Sequence, residues 1–193
     1  MNPLRLLFPG LLLGSVLASG AAFAQGKPTT PEQLMFQPPA GWAQTGQSRQ
    51  NNATYTLFTP SGQTAQNWQE SVMLELRMGQ QSDPILYLER MSDSVRSACP
   101  KAEIGTVQQG LSNGYKAGFR HVTCTSSNAG FGEVQLYYTI QGKAGMYTTV
   151  RTWRTKPFPN GQVPVDKATI QDGMRYLESV KLCDPADATH PCR

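Results

Sequence analysis

The 193-residue sequence has little of what most enzymes and nucleic-acid binders are built from. It holds only two histidines, His121 and His190, and its four cysteines never fall in C-x-x-C spacing, so a zinc centre lacks both ligands and pattern. No G-x-x-x-x-G-K stretch is present to cradle a phosphate. The 17 basic residues are scattered along the chain, without the clustered face that nucleic acid requires. Glu75, Glu103 and Glu133 stand apart, each on its own expected strand, and form no intelligible acid/base constellation. These gaps lead us to expect no metal, no cofactor, no nucleic-acid partner and no catalytic residue. Internal repeats and low-complexity tracts are also missing.

The N-terminus carries a long apolar run. Met1 to Ala24 joins one charge, Arg5, to "LLFPGLLLGSVLA" and ends in Ala22-Phe23-Ala24, the pattern of a secretory signal cleaved before Gln25. Pro9, Gly10 and Gly14 interrupt the run, which falls short of the ~20 apolar residues of a membrane span. No transmembrane segment is therefore expected after cleavage, and no cysteine follows the run to carry a lipid. The expected location is periplasmic or secreted. Loss of 24 residues from 193 leaves 169, enough for one domain, and lowers the formal charge from +4 to +3.

Cys99, Cys124, Cys183 and Cys192 all lie in the mature part, and an even count in an exported chain implies two disulfides. Three pairings are possible, of which Cys99 with Cys124 and Cys183 with Cys192 is favoured. The second would staple a tail, residues 184–193, onto a domain covering 34–183, behind a polar leader at 25–33.

Along the domain, "NATYTLFTP" and "SVMLELRM" alternate as strands. Asp83 and Pro84 then open a helix whose stripe Ile85, Leu88, Met91 or Ser92, and Val95 faces inward. Four further strands follow: "AEIGTVQQ", "YKAGFRHVTCTS", "GEVQLYYTIQ" and "MYTTVRTWRT". A helix capped by Asp166, with Ile170, Gly173 or Met174, and Leu177 on one face, closes the domain. Short glycine-bearing connections imply antiparallel neighbours. The expected class is α+β: an antiparallel sheet of about five to seven strands with one mid-chain and one C-terminal helix.

"PPAGW" at Pro38 to Trp42, "YTLFTPSG", the "ESV" at Glu70 to Val72 and the terminal "YLESVKL" resemble the PsbP-like superfamily, whose members include small bacterial envelope proteins. The resemblance implies a central antiparallel sheet flanked by helices, used for binding or assembly, with no catalytic residues to carry over. The cysteine pairs are outside the general pattern of that family.

Two places invite a functional reading. Gly110-x-Ser112-x-Gly114, with His121 beyond it, matches a hydrolase nucleophile elbow, but the elbow needs a helix after the turn, and Asn113-Gly114 leads into a strand. The second is a possible binding face of Tyr137, Tyr147, Arg151 and Trp153, open if the helices cover the Leu136 side. Alternatively the Trp42 segment or the second helix covers it. The expected function is a non-enzymatic binding or accessory protein of the bacterial envelope, acting on an unknown protein or envelope component. The alternatives are a secreted inhibitor or immunity-type protein, and a serine hydrolase using Ser112.

Overall fold

The computed structural model describes residues 32–192. The expected signal peptide and most of the leader lie outside the described residues. Glu32 and Gln33, assigned above to the leader, belong to the fold: β1 (Gln33–Met35) pairs with β10 (Lys181–Cys183) in a small two-stranded sheet.

The main sheet contains β2 (Trp42–Gln50), β3 (Ala53–Pro60), β4 (Glu70–Met78), β5 (Ala102–Ile104), β6 (Gln108–Ser112), β7 (Tyr115–Cys124), β8 (Gly132–Gln141) and β9 (Gly145–Thr155). Its order is β2-β3-β4-β9-β8-β7-β5, with β6 also on β7, and all neighbouring pairs are antiparallel. This is the expected α+β class. The strand expected over "AEIGTVQQ" is two strands: β5 pairs with the C-terminal half of β7, β6 with its N-terminal half, and the chain breaks pairing where Gly105 meets the His121 ring.

Helix α1 (Pro84–Ala98) lies over β7 and its neighbours, and α2 (Lys167–Ser179) packs on the opposite face, giving three layers. Each start is capped as expected: Asp83 accepts from the Ile85 N–H at 2.9 Å, and Asp166 from the Thr169 N–H at 3.0 Å. Under α2 lies the larger core of Val134, Leu136, Tyr138, Ile140, Trp153 and Leu177; under α1 lies a smaller one of Leu88, Val122, Tyr137 and Val150. Among the described residues no helix is long and apolar enough to cross a membrane.

Disulfides join Cys99 to Cys124 and Cys183 to Cys192. The first fixes the end of α1 to the end of β7. The second closes the tail, which Lys143 holds further through Asp184 at 3.0 Å and Asp187 at 2.7 Å.

Gly173 is where α2 meets the sheet, and a Cβ there would lie 2.4 Å from the Trp153 ring. Gly173→Ala gains about 1 kcal/mol of helix propensity and meets overpacking of about 1–3 kcal/mol, so urea unfolding should show a net loss of stability. The paired Cys99→Ser, Cys124→Ser variant should lose about 3 kcal/mol in the same measurement, because it frees a loop whose ends are 25 residues apart.

Candidate functional site

Side chains alternate across β4, so Met73, Glu75 and Arg77 face the α1 side while Val72, Leu74 and Leu76 face the other. On β3, Tyr55 sits opposite Glu75 in the register and shares its face. On β8, Glu133, Gln135 and Tyr137 do the same. Helix α1 packs on β5, β6, β7 and β8, away from β3 and β4. The uncovered part of the sheet and the flank of α1 therefore form an open groove of about 510 Å³, walled by Tyr87, Arg90, Met91, Ser94, Val95 and Ala98.

Its floor is a closed polar unit. Glu75 is only 3% exposed; its Oε1 accepts from Arg77 Nη2 at 2.5 Å, Arg77 Nε at 3.1 Å and the Tyr55 hydroxyl at 3.2 Å. Arg77 also donates to the Tyr55 oxygen at 2.8 Å and to that of Tyr87 at 3.4 Å. Burial, followed by the Glu75 charge, raises the pKa of Tyr55 and pushes that of Tyr87 up to about 12. For Arg77, burial acts to lower the pKa, but the bonds to Tyr87 and Glu75 outweigh it and the net direction is up. The guanidinium and carboxylate are locked together.

A second relay leaves the floor toward the surface. The buried Tyr137 hydroxyl donates to Gln135 Oε1 at 2.6 Å, Gln135 Nε2 to Glu133 Oε2 at 2.9 Å, and Arg154 Nε to Glu133 Oε1 at 3.1 Å. The Arg154 guanidinium stacks 3.6 Å from the Trp68 ring centre and 4.7 Å from that of Phe131. Trp68, Phe131 and Lys156 line a second, open hollow of about 490 Å³ there.

The four residues expected to share a binding face are split between the two faces. Leu136 pairs with Arg151 and Val134 with Trp153, so Arg151, Trp153 and Tyr147 share the Leu136 side, while Tyr137 pairs with Val150 and points toward α1. Tyr137, Tyr147 and Trp153 are buried, and Arg151 is held between the Trp42 and Trp153 rings at 4.3 and 4.9 Å and ion-paired with Glu70. The alternative expected for this face is a covering by the Trp42 segment or by the second helix, and both lie on it: Trp42 on Arg151, and Gly173 of α2 on Trp153. The β8–β9 register decides this: residues directly opposite in an antiparallel pair share a face.

Nor do the elbow residues meet. Ser112 pairs with Tyr115, across the tight Asn113-Gly114 turn with φ of 49° and 84°. His121 lies six residues further along β7, about 20 Å away at strand rise. Instead His190, within the tail closed by the second disulfide, stacks on Tyr115 at 3.8 Å and donates from Nδ1 to the Asn113 carbonyl at 2.8 Å. Among the described residues no three His, Cys, Asp or Glu side chains converge as metal ligands.

Neither a family model nor a curated protein sequence matches the chain.

The groove residues Tyr55, Glu75, Arg77, Tyr87 and Arg90 were not expected as a site. Their one sequence signal is a carboxylate and a guanidinium two apart on a strand, which puts both charges on a single face.

The pKa of Tyr87 is higher folded than unfolded, so the folded state keeps a proton that the unfolded chain releases above about pH 10. Its contribution is fully present below pH 10 and is lost as pH rises toward 12. Tyr87's own share of the alkaline decline should be on the order of 2 kcal/mol, alongside those of the other tyrosines whose pKa burial raises. Tyr87→Phe should flatten this decline when denaturant midpoints are compared at pH 9 and pH 11.5.

Proposed function

We propose that the protein is an exported, non-enzymatic binding or accessory protein of the bacterial envelope, and that it holds its ligand in the groove between α1 and β3–β4. The observation that carries this reading is a preformed concavity of about 510 Å³ whose floor polar groups are already tied to one another. That size lies within the range of small-molecule sites, and such a floor offers shape and fixed dipoles to a ligand without a free nucleophile. The roughly 20 Å between Ser112 and His121, taken from strand rise, supports the non-enzymatic half. The two disulfides and the N-terminal signal pattern support export. A sheet covered by a helix on each face is also what the PsbP-like resemblance implies for a binding or assembly module.

The Trp68–Phe131–Arg154 shelf favours a second reading, an inhibitor or immunity-type protein that docks on an enzyme, because tryptophan and arginine dominate binding hot spots.

Photo-crosslinking in the native envelope tests both. With a benzophenone side chain at Ser94 in the groove wall, at Gln66 beside the shelf, or at the exposed Arg175 on α2, a discrete mass addition is expected at Ser94 alone. Labelling at Gln66 alone transfers the site to the shelf. Equal labelling at Ser94 and Arg175, or none at Ser94, overturns the groove.

A further inference from the structure

The lining of the groove specifies the kind of ligand, given the reading of it as the binding site. Three features count: which groups line it, which charges are already neutralised, and which main-chain groups are free.

Met91, Val95 and Ala98 follow one another at successive turns of α1, with Met73 opposite them on β4 and the Cys99–Cys124 bridge closing that end. From Tyr87 to Ala98 the helix advances about 16 Å. Methionine side chains adapt to an apolar guest without fixing its shape. At the start of the helix the lining is polar, with Gln80, Arg77, Tyr87 and Arg90, and Glu133, Gln135 and Ser127 add polar groups on the β8 side.

The charges do not cancel. Arg77 is paired with Glu75, and Arg154 with Glu133. Arg90 is exposed and, among the described residues, has no carboxylate within ion-pair distance. The lining therefore holds Glu75, Arg77, Arg90 and Glu133, and with Glu133 neutralised by Arg154 from outside it, Arg90 is the one charge of the lining left unpaired among the described residues. A guanidinium presents a planar fork to an oxyanion, and a single unpaired one balances a monoanion such as a carboxylate rather than a dianion.

A peptide is poorly served here. Strands β3, β4, β8 and β9 are each paired on both sides, and the amides of α1 are bonded within the helix, so these elements present no free main-chain ladder to the groove. An extended peptide would lose water from its own amides without replacement partners. An alkyl chain has none to lose.

We propose that the groove takes a single-chain monoanionic amphiphile, a long-chain carboxylate, with its alkyl tail along Met73, Met91, Val95 and Ala98 and its head group on Arg90.

Calorimetric titration of the oxidised protein with dodecanoate, dodecyl phosphate and dodecanol, each below its micelle concentration, tests this. The expected result is one dodecanoate site, with dodecanol at least tenfold weaker and dodecyl phosphate no tighter. Arg90→Glu, on the exposed face of α1, should weaken dodecanoate at least tenfold, as should Met91→Glu; unchanged melting temperatures exclude misfolding as the cause. If Met91→Glu acts as expected but dodecanol equals dodecanoate, dodecyl phosphate binds more tightly, or Arg90→Glu has no effect, the carboxylate assignment is overturned while the groove stands. The same holds if none of the three binds and the Ser94 crosslink still forms. Binding that survives both substitutions puts the site elsewhere and overturns both readings.

Discussion

One buried guanidinium sets where α1 lies. Arg120, 4% exposed in the middle of β7, donates from Nη1 to the Leu88 carbonyl at 2.9 Å and to Ser92 Oγ, and pairs through Nη2 with Glu89. A helix carbonyl, a helix hydroxyl and a helix carboxylate are all held by a single strand residue. Four residues later on the same strand face, Cys124 bonds Cys99 at the helix end. With both attachments on β7, the helix is anchored toward one side of the sheet, and the β3–β4 side of that face is left for the groove. Stripping water from Arg120 is costly unless its bonds are made, so the helix has one favourable position.

The same reasoning bears on Glu75 and Arg77. A buried ion pair adds little net stability compared with apolar packing. Here each partner is bonded to tyrosine hydroxyls as well, which fixes the rotamers of Tyr55, Tyr87 and Arg77 together. The groove floor is rigid before anything enters it, and a ligand need not pay to order it.

Much of the fold was legible in the sequence because its local signals agree. Asp83-Pro84 and Asp166 mark the helix starts, the period-two runs mark β3, β4, β7, β8 and β9, and the cysteine pairing follows the order of elements. Strand β2 escaped notice: "AQTGQSRQ" has no apolar alternation, since an edge strand with largely exposed side chains needs none, and a bulge between Gln44 and Gly46 disturbs its period. The three-residue strands β1 and β10 are too short to show a period at all. The site was much less legible. Parity along one strand is visible, but which residue of β8 faces which residue of β9 depends on where the hairpin loop places the pairing, and a shift of one moves Arg151 to the other face. The groove, likewise, is a consequence of where a helix is not, and no residue pattern in β3 or β4 reports that.

The interruption between β5 and β6 also bears on solubility. A long, even edge is a template on which another chain can pair, and antiparallel sheets with such edges stack into aggregates. Here one border is cut in two beside Gly105, and the other, β2, is bulged and carries Arg49. Neither border offers an unbroken ladder of hydrogen-bonding groups. An eight-stranded open sheet thereby gains protection against joining its neighbours.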